Sequence, residues 1–443
     1  MLQDGSLTPE NAGEFPYFLN GDVAIAITNP AKTHIWRLHA SILSNASDLL
    51  KEKLNPRDQS GIVRNAEDIT TFLTLSTDEK PPQIPTLIAR TLEEIPEQAR
   101  RREQEAGPED RRIPPAPASQ ATSIMSSVKT EGGGKQLTSH TPKFDAHVLS
   151  ELCSAYDNLF RDIYGLPVLL QSESVHQNLF QAEVLVLIFR TYGRLASIHA
   201  QVGNVFSQHR KKLFEAIMQD PVCWHNLSIL LESSSIYTEA FVHLADSLNS
   251  FLRTNTKSNI PPVVLAQLKR KDEKLKSAKE IVVGELSRLT VHMDGKPVKM
   301  GGSLETWITV QLFRDWLADE LDKIERQGAD SSRRLSGDHV SGNNGTVPYG
   351  IGTLLRRIYR GGDAYLAYDK VIKEIKETFE FLGSDWEDLA DDLHALKDYA
   401  SRTVKKICSN NLMIDPESHK IPCLTCMDVA PNEFPWMLLA EGT

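Results

Sequence analysis

The stretch GDVAIAITNPAKTHIWRLHASILSNASDLL, residues 21–50, changes its hydrophobic period partway along. Val23, Ile25 and Ile27 alternate with small residues, which predicts a strand just after the Asn20-Gly21 turn signal. Thr33 to Leu38 is expected to be its hairpin partner. From Leu38 onward the apolar positions Leu38, Ile42, Leu43, Ala46, Leu49 and Leu50 fall at helical spacing. Ile69 to Leu75 predicts a further strand. The chain therefore opens strand, strand, helix, strand, and His39 stands where the period switches.

Residues 76–143 have a different composition. They contain no Phe, Tyr or Trp and hold nine of the 23 prolines. RRREQEAGPEDRR, PPAPAS and EGGG all lie here. Such a segment has too little apolar surface to offset its chain entropy, so a disordered insertion is expected at about 77–143. One helix is expected within it, on the stripe Ile84, Leu87, Ile88, Leu92 and Ile95.

From Phe144 the pattern is helical. Leu159, Phe160, Ile163 and Tyr164 share one face of a helix that stops at Gly165, and 182–202 predicts a helix pair around Gly193. Residues 209–248 predict short helices broken at Pro221 and Ser233–Ser235. Residues 263–289 predict a long charged helix, and 289–300 a hairpin around Asp294-Gly295. A helix is expected at 304–324 and a Gly/Ser/Asn-rich flexible loop at about 327–350. Tyr368, Val371, Ile372, Ile375, Phe379 and Leu382 form the next stripe, ending at Gly383. Ser384 to Glu387 has the pattern of a capping box for a last helix, with Trp386, Leu389, Leu393, Leu396 and Tyr399 inside. The tail from Ser418 is expected to be irregular.

The bulk numbers give no support for a nucleic-acid or anionic-lipid binder. The 443 residues carry a formal charge of −10, which gives no general electrostatic footing on phosphates. Five cysteines in so long a chain are not a disulfide framework. MLQDGSLTPENAGEF lacks the basic and apolar regions of a signal peptide, and the longest apolar run, Val184 to Phe189, is too short to span a bilayer. An intracellular protein, cytoplasmic or nuclear, is expected, with no nucleic-acid or membrane partner. The Asn-x-Ser/Thr triplets at Asn45, Asn226 and Asn344 then call for no glycosylation.

The order of these elements resembles the BTB/POZ domain. The resemblance rests on Gly21-Asp22-Val23, the hairpin, Leu38-His39-Ala40-Ser41-Ile42-Leu43-Ser44, and Ala46-Ser47. It continues in Leu159 to Gly165 (LFRDIYG) and Val184 to Leu195 (VLVLIFRTYGRL). It covers roughly 15–76 and 144–208, split by the insertion. The lysine that often follows the family histidine is Ala40 here. From 209 onward, with Trp224, Leu227, Leu230, Phe241 and His243, the chain is similar to the helical extension of filamentous-fungal BTB proteins. The resemblance implies a flexible N-terminus at 1–14, an α+β BTB/POZ-like domain at 15–208 and a mainly helical extension at 209–443. It implies structural positions at Asp22, His39, Ser47, Tyr164 and Gly165, with Asp22 and His39 buried and hydrogen-bonded, because buried polar groups need partners. The implied function is a protein–protein interaction scaffold or adaptor whose front domain self-associates or binds a partner while the helical part holds or presents something else. The alternatives are a substrate receptor of a cullin-type ubiquitin ligase, and an enzyme or zinc protein of unrecognised type.

No catalytic residues and no cofactor are expected. Ser-His-Asp, Walker, Rossmann and His-Glu-x-x-His patterns are absent, and Gly301-Gly302 and Gly361-Gly362 lack a phosphate-loop frame. Cys423 and Cys426, with His419 and Cys408, are weak zinc candidates, because zinc wants four ligands and only one Cys-x₂-Cys is present. Reduced thiols packing the tail is the main expectation, with a redox pair as the remaining one. Arg333-Arg334-Leu335-Ser336 has the form of a basophilic kinase site with Ser336 as acceptor. Lys269-Arg270-Lys271 with Lys274, Lys276 and Lys279 is expected to be a solvated helix face, with a nuclear import signal as the other reading. Trp307 and Trp316 are expected in the core.

Overall fold

A computed structural model describes residues 15–16, 18–28, 33–54, 71–75, 85–89, 146–170, 174–254, 260–334, 349–378 and 386–440. The chain is mostly helical, with one small mixed sheet of four strands near the N-terminus. It divides into two compact units, Met1–Ala216 with Leu230–Ser233, and Ile217–Ile229 with Ser234–Thr443.

In the first unit the strands are β1 (Val23–Thr28), β2 (Thr33–Leu38), β3 (Thr71–Leu75) and β4 (Leu87–Ala89), ordered β2-β1-β3-β4. β1 pairs antiparallel with β2, Val23 opposite Leu38 and Thr28 opposite Thr33. It pairs parallel with β3, Val23 opposite Thr71 and Ile25 opposite Leu73. A parallel pair needs a crossover, and its described part is α1 (Ala40–Ala46) and α2 (Asp48–Leu54). β1 is central, so its small Ala24 and Ala26 are buried as fully as Val23, Ile25 and Ile27. The helical stretch expected from Leu38 is two helices, because Ser47 adopts an extended conformation between them.

Two longer helices follow, α3 (Ala146–Ile163) and α4 (Val175–Thr191), packed together. Each ends in the same way. Gly165 and Gly193 have φ of 73° and 71°, and the next residue bonds back across the turn, Leu166 N to Arg161 O at 2.7 Å and Arg194 N to Phe189 O at 2.8 Å. This is the Schellman end, which favours glycine because the left-handed region penalises a Cβ. α4 is buried nearly all round, which explains its unbroken run Val184 to Phe189. A short 3-10 turn (Leu195–Ser197), α5 (His199–Gln208) and α6 (Lys211–Gln219) come next.

The expected helix within the insertion is corrected. Leu87–Ala89 is a strand, pairing Leu73 with Ala89 and Leu75 with Leu87. Long-range hydrogen bonds override the local period: the Tyr156 hydroxyl donates to Pro85 O at 3.0 Å, and Leu87 N donates to the Tyr192 hydroxyl at 3.2 Å. Residues 85–89 therefore belong to the sheet; the rest of 77–143 lies outside the described residues, as do residues 1–14.

The second unit holds α7 (Pro221–Leu230, all but its last residue), α8 (Ser234–Thr254), α9 (Pro262–Ser287), a two-residue ribbon of β5 (His292–Met293) and β6 (Lys296–Pro297), α10 (Leu304–Arg334), α11 (Ile351–Arg360), α12 (Tyr368–Thr378), α13 (Trp386–Val404) and α14 (Pro435–Ala440). α9 packs on α8, and α13 packs on α10 and α11. Ile308, Val371, Ile372, Ile375, Leu389 and Leu393 form one core cluster, with Trp307 against it. α10 runs to Arg334, past the expected loop start at 327, although Gly328, Asp330, Ser331 and Ser332 are weak helix formers, because extending a helix already nucleated costs less than starting one. Tyr399, expected inside, is 51% exposed: the buried line on α13 runs Leu389, Leu393, Leu396, Ala400 and leaves Tyr399 to one side. Ser384 and Gly383 lie outside the described residues. Among the described residues no helix is long and apolar enough to cross a membrane.

Candidate functional site

The β1–β2 register sets Asp22 beside the start of α1. Asp22 Oδ1 accepts a hydrogen bond from Ala40 N at 2.7 Å, which satisfies one of the amides that a helix N-terminus leaves open. His39 precedes that helix in an extended conformation, and its carbonyl accepts from Ile42 N and Leu43 N, both at 3.1 Å.

Tyr164, from the end of α3, reaches His39 twice. Its hydroxyl accepts from His39 N at 2.9 Å and lies 3.0 Å from His39 Nδ1. His39 Nε2 is 3.1 Å from Asn20 Oδ1, an acceptor, so Nε2 carries the proton and Nδ1 receives the Tyr164 hydroxyl hydrogen. Phe18 stacks on Tyr164 at 4.7 Å and lies 5.1 Å from the His39 ring. Burial raises the Tyr164 hydroxyl above the usual tyrosine range; the His39 amide bond works against this, and the Asp22 charge adds to it.

Asp22 and His39 are hydrogen-bonded as expected, but half-buried rather than buried. They lie at the end of the strand pair, next to the Asn20-Gly21 turn, where solvent reaches them. Ser47 is buried at the α1–α2 break, its carbonyl accepting from Lys51 N at 2.9 Å while its hydroxyl has no hydrogen-bond partner. Arg194 joins the two Tyr-Gly ends to the end of α1, donating to Asp162 Oδ2 at 2.6 Å and to Ala46 O at 3.3 Å. Asp22, His39 and Tyr164 thus meet with Asn20 and Phe18, while Asp162 and Arg194 form a separate pair beside the Tyr-Gly ends. Asn20 is legible in the sequence as the turn signal before β1, whereas Phe18, Asp162 and Arg194 are not, although Arg194 directly follows Tyr192-Gly193.

The C-terminal cysteines have a different setting. No disulfide joins any of the five cysteines. Among the described residues no group of three or more His, Cys, Asp or Glu comes together to hold a metal. Arg356 lies beside two of the cysteines: its guanidinium donates to Cys423 O at 2.9 Å and to Ile421 O, and its charge acts on both Cys408 and Cys423. Burial pushes the Cys408 thiol up to about 12 against the pull of Arg356, with Cys426 adding to the rise. His419 turns back on its own loop, its Nδ1 donating to Asp415 O at 2.9 Å.

Ser336 lies outside the described residues, and Arg333 and Arg334 end α10. Trp316 is half-buried, stacked on Tyr365 at 4.5 Å with Arg357 5.6 Å from its ring. On α9 the expected solvated face holds for Lys269, Arg270, Lys274 and Lys276 but not for Lys271, which is 7% exposed. Lys271 points inward because α9 turns it toward the C-terminal segment, where its ammonium meets Glu433 Oε2 at 2.8 Å. No protein-family model, no curated protein and no solved structure matches the chain.

Proposed function

We propose that this chain is a protein–protein interaction scaffold or adaptor acting inside the cell, and that its first unit is a BTB/POZ-like domain that self-associates. The observation that carries the reading is the meeting of Asp22, His39 and Tyr164. Residues selected by resemblance, far apart in sequence, lie within hydrogen-bond distance of one another or of the same helix start. The strand order β2-β1-β3 with a helix pair in the crossover supports the same reading. The polar groups at this junction are engaged with each other and with backbone, which favours a binding role over a chemical one.

Light scattering of the full chain after size exclusion tests self-association. A mass of two chains at micromolar concentration is expected. A single-chain mass across the accessible range sinks the self-association. A pull-down with purified cullin separates an adaptor from a ligase receptor, since stoichiometric capture would replace the scaffold by the receptor.

A further inference from the structure

The C-terminal segment Asp428 to Trp436 is held to α8 and α9 by a small set of directional contacts. Lys271 Nζ donates to Glu433 Oε2 and to Asp428 O, both at 2.8 Å. Arg270 Nη2 donates to the other Glu433 oxygen at 3.2 Å. Two cations therefore share one carboxylate, and Gln267 Nε2 reads the segment's main chain through Glu433 O at 3.2 Å. Beyond the glutamate, Phe434 and Trp436 stack on each other at 4.8 Å, and both meet the fully buried Tyr237 ring edge-on, at 5.6 and 5.5 Å.

This arrangement differs from ordinary core packing. A nearly buried ammonium is costly unless a carboxylate accompanies it, and an apolar side chain of similar volume fills such a space at least as well. Lys271 thus makes the face of α9 specific for an acidic group. Edge-on aromatic contacts with Tyr237 add a requirement for rings just after it. The group meeting both requirements lies near the end of the chain, joined to α13 by residues 405–430, which contain no helix or strand. Partial burial works against the Glu433 charge, yet the bonds from Lys271 and the Ala430 amide, with the charges of Lys271 and Arg270, hold its carboxyl below the usual glutamate range.

We propose that Tyr237, Gln267, Arg270 and Lys271 form a recognition site for a turn-forming peptide segment in which a glutamate precedes two aromatic residues, and that Asp428 to Trp436 occupies it as an internal ligand, with Pro431–Glu433 in a 3-10 turn and Trp436 in the first turn of α14. The partner is a different protein carrying such a segment. Its segment lacks the proximity of the tethered one, as a second copy's tail does, so it must outbind Asp428 to Trp436 to displace it. The site belongs to the second unit and is independent of the reading given to the first.

The test uses the full chain with its internal ligand disabled by E433Q, F434A and W436A together. The probe is a fluorescent peptide of residues 427–440 (MDVAPNEFPWMLLA). Saturable binding to this variant is expected. Binding should weaken at least tenfold when the peptide's glutamate becomes glutamine, and again when K271M is added to the chain. In the unaltered chain, amides of 429–436 should exchange with deuterium before those of α8 and α9. Absence of binding by a folded triple variant overturns the proposal. Unfolding of that variant, or exchange of 429–436 only with global unfolding, overturns it too, because the segment is then part of the core.

Discussion

The Tyr164 hydroxyl lies 2.9 Å from the His39 amide nitrogen and 3.0 Å from His39 Nδ1, bridging 125 residues of sequence. One phenol oxygen thereby fixes both the backbone and the ring of the residue between β2 and α1. Tyr164→Phe removes both bonds while keeping the stacking with Phe18. A loss of about 1–2 kcal/mol is expected, a typical value for two hydrogen bonds at a half-buried site. Urea unfolding of the full chain checks it. An unchanged midpoint would mean that solvent replaces the hydroxyl without loss.

Asp22 acts on the same helix start from the other side. Asp22→Ala leaves the Ala40 amide without its 2.7 Å acceptor. The cost should resemble that of removing a helix cap, about 1 kcal/mol. Asp22→Asn retains an oxygen acceptor and should restore most of it. Equal losses in the two variants would point to the charge rather than the hydrogen bond.

Much of this junction was legible, because each partner announces itself locally. The hairpin sets Asp22 beside the helix start, and Tyr164-Gly165 and Tyr192-Gly193 carry their own stop signals. What stayed hidden was set by tertiary contact. The strand Leu87–Ala89 lacks a strand's usual length, and two tyrosines more than sixty residues away hold it in place. Lys271 belongs by composition to a solvated basic run, and only the fold turns it onto Glu433. The cysteines had the right elements for a metal site, but an arginine 52 residues before Cys408 in sequence lies among them.

The two glycine stops can be separated from an ordinary helix glycine. Gly165→Ala and Gly193→Ala place a Cβ at φ near 70° and should each destabilise by about 1 kcal/mol. Gly203 sits inside α5, where an added Cβ meets nothing within 4 Å. Gly203→Ala should therefore stabilise, by about 0.5–1 kcal/mol. Thermal melts of the three variants provide the check. A loss at Gly203 would argue that α5 needs a close approach at that face.

Glu239 on α8 gives a prediction in pH. Its carboxyl is 1% exposed, accepts from Met413 N at 2.8 Å, and lies 3.9 Å from His243 Nε2. Burial pushes it up to about 7, the Met413 amide working against this, and burial also lowers His243 to about 4, so the imidazole is neutral near pH 7 and offers no countercharge. In the unfolded chain an ordinary glutamate ionises near 4.5. Between those values the folded state holds the extra proton, so Glu239 reduces stability as pH rises, and the loss is complete above about 7. Glu239→Gln keeps an oxygen for the Met413 amide and removes the titration. The variant should gain about 2–3 kcal/mol relative to the parent between pH 5 and 8. Denaturation at several pH values measures the difference. A gap that stays constant with pH would mean that the folded carboxyl ionises as readily as the unfolded one, with the Met413 amide and neighbouring water supporting its charge.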